Sequence, residues 1–153
     1  MIVFRISSCK YINDLSGKGA EKCGGRWNTI GVPVVYTSAS RALCTAEIAV
    51  HLPLGILPEN YCIAEIKIPD TLKIKEILPE DLPVGWQESP PVYETQILGN
   101  KLLLQNKYAI LKMPSAVVPG DFNYLINPLH KDFKKIKFLK SAPFQFDERL
   151  FYR

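Results

Sequence analysis

The chain has 153 residues, 47% of them hydrophobic and 22% charged, a globular composition sized for a single domain across 1–153. Disordered, collagen-like, coiled-coil and disulfide-scaffold classes are excluded. The net charge of +4 admits an anionic ligand without demanding nucleic acid, and twelve prolines favour short strands and turns over a helical bundle.

Ile2 to Ile6 reads as a first strand. Residues 7–25 are small, polar and glycine-containing, a long loop of the kind that is often functional. Pro33 to Thr37 is a strand, and Ser38 or Ser40 can cap a helix from Arg41 to Leu52, which Pro53 and Gly55 end. Tyr61 to Ile68 is a strand, and Leu72 to Ile77 alternates apolar and charged residues as a half-buried strand does. A proline-rich loop over 79–91 carries Trp86 and leads to a second helix over 92–106, with Gly99 as its weak point. Tyr108 to Met113, Ser115 to Val118 and Asn123 to Ile126 read as short strands, Phe133 to Leu139 as another, and the tail FQFDERLFYR as a last one. The fold class is α+β, with many short strands and two main helices.

Four cysteines, Cys9, Cys23, Cys44 and Cys62, form no C-x-x-C pair, so neither zinc nor another metal is expected. The N-terminus lacks a basic region followed by an apolar stretch, which points to a cytoplasmic chain with free thiols. The apolar segment from Ile48 to Leu57 is broken by His51, Pro53 and Gly55 and is too short for a membrane span. Rossmann, Walker A, H-E-x-x-H and G-x-S-x-G patterns are absent. His51 and His130 read as surface or loop residues.

One constellation carries chemistry. Glu47 falls on the stripe that Leu43, Ala46 and Val50 form on the first helix. A carboxylate on an apolar face needs a partner or a purpose. It is either a snorkelling side chain or structural ion pair, or a carboxylate at the floor of a cleft. Gly24 and Gly25 precede Arg26. This is either an ordinary turn or an anion clamp, with backbone N–H groups and a guanidinium facing phosphate. Trp27 is core or a stacking wall; Tyr36 is half-buried core or an aromatic face for a flat heterocycle. Together they offer what a dinucleotide with a glycosidic bond requires: an anion clamp, a stacking face, and a carboxylate for a developing oxocarbenium charge.

The run GGRWNTIGVPVVYTSASRALCTAEIAVHL resembles the signature of the RES domain, named for its arginine, glutamate and serine. Further resemblance covers nearly the whole chain: Val3-Phe4-Arg5, Ile68-Pro69-Asp70, Leu82 to Trp86, Pro114 to Pro119, Asn123 to His130 and the FDERL segment. The resemblance implies an ADP-ribosyltransferase-like fold and a toxin of a bacterial toxin–antitoxin pair. It implies NAD as substrate rather than cofactor, with hydrolysis or phosphorolysis of the nicotinamide–ribose bond, and an Xre-type DNA-binding antitoxin as partner. Some members instead ADP-ribosylate a protein. The family's functional residues carry over onto Arg26, Tyr36, Glu47 and Ser115. The resemblance implies Arg26 on the pyrophosphate or ribose, Tyr36 against nicotinamide, Glu47 on the ribose 2′-OH, and Ser115 orienting Glu47 or the ribose. Gly25, Trp27 and Asn123 are further substrate-binding candidates by proximity to the motifs.

Homodimerisation is compatible with the symmetry usual in such complexes. A reading from another class is a basic nucleic-acid-binding module, with Lys131, Lys134, Lys135, Lys137 and Lys140 as its support. Phe133, Ile136 and Phe138 interleave with these lysines as on a solvated strand face. The expectation is therefore no direct nucleic-acid contact.

Overall fold

The computed structural model describes residues 1–152. In chain order the elements are β1 (Ile2–Ser8), α1 (Lys18–Cys23), β2 (Val35–Ser38), α2 (Arg41–Ala49), β3 (Tyr61–Lys67), β4 (Ile74–Glu76), α3 (Tyr93–Leu104), β5 (Ile110–Pro114), β6 (Phe122–Ile126) and β7 (Lys137–Phe144). The strands form one seven-stranded sheet in the order β4-β5-β6-β2-β1-β3-β7. Only the β4–β5 pairing is parallel.

Register decides which side chains meet. Phe4 is opposite Ser38, Tyr36 opposite Leu125, Ser38 opposite Asn123, and Met113 opposite Asn123. Directly paired residues share a face, so Phe4, Tyr36, Ser38, Asn123 and Leu125 all lie on one side. Both longer helices cover that side. On α2, Cys44 and Ile48 pack with Ile6 and Ile63. On α3, Leu103 packs with Val34, Leu111, Met113 and Leu125. The two helices leave a strip of sheet between them. The opposite face buries Val3, Val35, Ala64, Ile66, Ile110 and Ile126 beneath Ile12 and Ile136. Arg5 points to that second face, where its guanidinium donates to the Asp14 carbonyl at 2.5 Å.

Several boundaries differ from expectation. The loop after β1 contains α1, whose residues are all at least partly exposed, so no apolar periodicity announced it. Ser40, not Ser38, caps α2: its Oγ accepts from the Leu43 N–H at 3.1 Å. Ser115 to Val118 forms a turn, not a strand, closed by the Ser115 N–H donating to the Asp121 carbonyl at 2.8 Å. The segment expected as a strand from Phe133 begins as a 3-10 turn over Phe133–Lys135, and β7 then runs to Phe144. The tail ends in a 3-10 turn over Glu148–Leu150 in place of a strand. His51 is exposed as expected. His130 is buried, its Nδ1 accepting the Asp132 N–H at 3.1 Å.

The expectation of four free thiols is corrected. Cys9 and Cys62 form a disulfide, while Cys23 and Cys44 remain free. Register explains the pairing. Ser7 lies opposite Cys62, and the Cys9 N–H donates to the Asn60 carbonyl, which folds Cys9 back over Cys62. The bond spans a sequence separation of 53, and closing a loop of that length stabilises by about 2–4 kcal/mol. Denaturant melts with and without reductant should differ by about that amount; coincident melts would contradict it. Among the described residues no helix is long and apolar enough to cross a membrane.

Candidate active site

Glu47 lies in the strip between the helices, pointing from α2 toward the ends of β2, β5 and β6. Its Oε1 accepts two hydrogen bonds, from the Ser115 hydroxyl at 2.7 Å and from the Asn123 side-chain amide. The Ser115 hydroxyl also accepts the Val117 and Val118 N–H groups, at 3.1 and 2.9 Å. With its lone pairs engaged by two amides, its proton is directed to Glu47. Ser115 is 1% exposed, so its role is internal and not that of an edge hydroxyl facing water. Both donors converge on one carboxylate oxygen, and Oε2 has no protein partner among the described residues. The carboxylate is therefore fixed in orientation and keeps one acceptor oxygen for a ligand.

Arg26 reaches toward the same strip. Its Nη1 donates to the Trp86 carbonyl at 2.5 Å and the Glu88 carbonyl at 2.9 Å. Burial pulls the guanidinium below its ordinary pKa, and the nearby Glu47 and Tyr36 oxygens pull the other way. An arginine keeps its charge through such shifts. Its other nitrogens take no protein partner among the described residues.

Tyr36 serves the loop that carries Arg26. Its hydroxyl accepts the Trp27 N–H at 3.0 Å and donates to Asn28 Oδ1 at 2.7 Å. Burial raises the phenol well above its ordinary pKa, so it stays protonated and can donate. Asn28 is fully buried, and its amide donates to the Ala20 and Val32 carbonyls at 2.8 and 2.9 Å. Gly25 is needed because a Cβ there would sit 2.6 Å from the Tyr36 hydroxyl. The glycine amides expected to face an anion are engaged within the chain: Gly24 N–H donates to Ala20 and Gly25 N–H to Asn28. Any anion contact at this loop therefore falls to Arg26. Trp27 is 2% exposed and stacks on Trp86 with ring centres 6.3 Å apart, so it is core and not an open stacking wall.

The structure thus brings Arg26, Glu47, Ser115 and Asn123 to one strip, with Tyr36 bracing it and Gly25 and Trp27 supporting the brace. Sequence reasoning missed Asn28, Ser38 and Gln96. Asn28 stands inside the quoted motif. Ser38 shares a strand face with Tyr36, a period-2 signal that was available. Gln96 Nε2 donates to the Gly25 carbonyl at 2.9 Å from α3, a contact across 71 residues that no local pattern announces. The lysines of the nucleic-acid reading lie elsewhere, on and before β7, three strands from β2. There Lys135 pairs with Asp132 and Lys140 with Glu65. Among the described residues no acid, histidine and cysteine cluster is arranged to hold a metal.

Residues 2–147 match the RES domain family. The chain belongs to that family. This RES protein is 43% identical over 140 residues to the Prs ADP-ribosylating toxin of Sphingobium sp. (strain YBL2), covering 90% of this chain and 87% of that one. It is 37% identical over 153 residues to Toxin Res of Pseudomonas putida, covering 99% and 100% of the two chains. Its fold is similar to that in the crystal structure of the M. tuberculosis MbcT–MbcA toxin–antitoxin complex. The TM-score is 0.75 at 18% identity, over 98% of this chain and 86% of that one. The α+β architecture expected of a RES domain is borne out, and it is the fold shared with that toxin–antitoxin structure.

Proposed function

We propose that this RES chain is the toxin of a bacterial toxin–antitoxin pair and depletes NAD by cleaving the nicotinamide–ribose bond. The observation that carries this reading is the Glu47 carboxylate, held by two donors on Oε1 with Oε2 left open, beside a charged arginine. In the proposed reaction the C1′–N1 bond breaks and its electron pair returns to the pyridine nitrogen, releasing neutral nicotinamide. Positive charge develops on the ribose. Glu47 Oε2 accepts from the ribose 2′-OH and stabilises that charge, as carboxylates do in glycoside cleavage. Water or phosphate then forms the new bond to C1′, and a proton leaves to solvent. Arg26 keeps its two loop carbonyls on Nη1 and offers its remaining nitrogens to the pyrophosphate, to which a guanidinium can donate bidentately.

A second reading sends the ADP-ribose to a protein, and the name of the Sphingobium relative at 43% identity favours it. In both readings the partner is an Xre-type DNA-binding antitoxin that blocks the strip between α2 and α3. Chromatography of NAD incubated with purified protein, with and without phosphate, tests the first reading. Nicotinamide with ADP-ribose marks hydrolysis, and a phosphate-dependent product marks phosphorolysis. NAD left intact alone but consumed when protein acceptors are added marks transfer. Arg26→Ala should raise the apparent KM for NAD by about 10–10²-fold, the worth of one charge-assisted contact. An unchanged KM would place the arginine outside the substrate site.

A further inference from the structure

Asn123 can orient Glu47 only in one of its two amide orientations. A primary amide has almost the same shape when flipped, but one end donates and the other accepts. With Oδ1 toward Glu47 the two acceptors would repel. The Glu47 carboxylate, which can only accept, selects the state with Nδ2 toward it. Ser38 holds the amide in that state from its other end, its hydroxyl donating to Asn123 Oδ1 at 2.7 Å. Ser38 and Asn123 are register partners on β2 and β6, so the sheet itself holds hydroxyl and amide side by side. Ser38 is 4% exposed, so water is largely kept from competing for the amide oxygen. The chain of donors runs one way, from Ser38 to Asn123 to Glu47, and ends at the oxygen that Ser115 also holds.

We infer that Ser38 is a positioning residue, which fixes the Asn123 amide and through it the direction of the Glu47 carboxylate. It touches no reacting atom. The kinetic consequence rests on the proposed NAD chemistry, whereas the amide orientation does not.

Two variants of matched shape test the inference. Ser38→Thr keeps the hydroxyl, and Ser38→Val replaces it with a methyl group. Both residues suit a strand, and the pair cancels the packing change common to both. The first readout is the Asn123 side-chain amide resonance in the full chain, which reports its hydrogen bonds without any turnover. It should move toward the free-amide position in Ser38→Val and stay near the parent position in Ser38→Thr. The second readout is NAD turnover. Ser38→Val should lose about tenfold in kcat, with KM within about twofold, the worth of one net hydrogen bond. Ser38→Thr should retain kcat within about twofold. If the two variants share the parent amide signal, the inference is overturned, whatever happens to kcat. If the amide signal separates them while the parent chain cleaves no NAD, the positioning role stands and the proposed activity fails.

Discussion

Glu47→Gln should fold as the parent chain does and lose at least about 10²-fold in NAD turnover, the scale seen when a group that stabilises transition-state charge is removed. The geometry makes this substitution a sharp test. Ser115 and Asn123 both donate to Oε1, so glutamine turns its carbonyl oxygen toward them and keeps those hydrogen bonds. Its amide nitrogen then takes the place of Oε2. A donor replaces the acceptor that was to receive the ribose hydroxyl, and the negative charge is gone. Folding is preserved while the chemistry is removed. Nicotinamide release followed by chromatography beside a thermal melt reads both at once. A folded variant with parent-like turnover would take Glu47 out of the mechanism.

The second large effect is on stability, at Gly99→Ala. In an exposed helix this change gains about 1 kcal/mol. Here the sign reverses, because the new Cβ would lie 1.9 Å from the Trp27 carbonyl oxygen and 2.7 Å from its carbon. Backbone cannot give way as the end of a flexible side chain does, so α3 must move off the Arg26–Trp27 loop. That also strains the Gln96 contact with Gly25 and the Asn100 contacts with Thr29. A loss of about 3 kcal/mol or more is expected from urea melts. Unchanged or increased stability would mean that the close approach of α3 to Trp27 does not hold the loop.

Gly99 also shows where sequence reading stops. Read alone it is a weak point in a helix; against the folded chain it is the surface that admits another backbone. The strands that alternate or run apolar, β1 and β3, were legible, as were α2 with its serine cap and α3 near its observed limits. α1 carries no buried face and left no periodic signal. The turn at Ser115 was hidden because its closing partner, Asp121, is set by the fold and not by local residue type. For the site, Glu47 was legible from its spacing to Leu43, although Val50, counted on the same stripe, is exposed and the buried face of α2 runs through Leu43 and Cys44. Arg26 was legible from its glycines, although those glycines serve close packing. Family resemblance placed Ser115, and physical reasoning on the sequence alone did not. The Cys9–Cys62 bond went unseen because only sheet register brings the two sulfurs together.

The order of the sheet carries a consequence for synthesis. β6 is made late yet sits in the middle, between β5 and β2. Arg26, Tyr36 and Glu47 leave the ribosome early, but Ser115 and Asn123 come from the last third of the chain. A nascent polypeptide that ends before residue 123 has no strand to pair with the free edge of β2 and no amide to hold the carboxylate. At about 5–20 residues per second, several seconds separate translation of Glu47 from that of its donors. Products that stall or end before β6 therefore lack an assembled site, and the proposed activity begins only after Asn123 has been made.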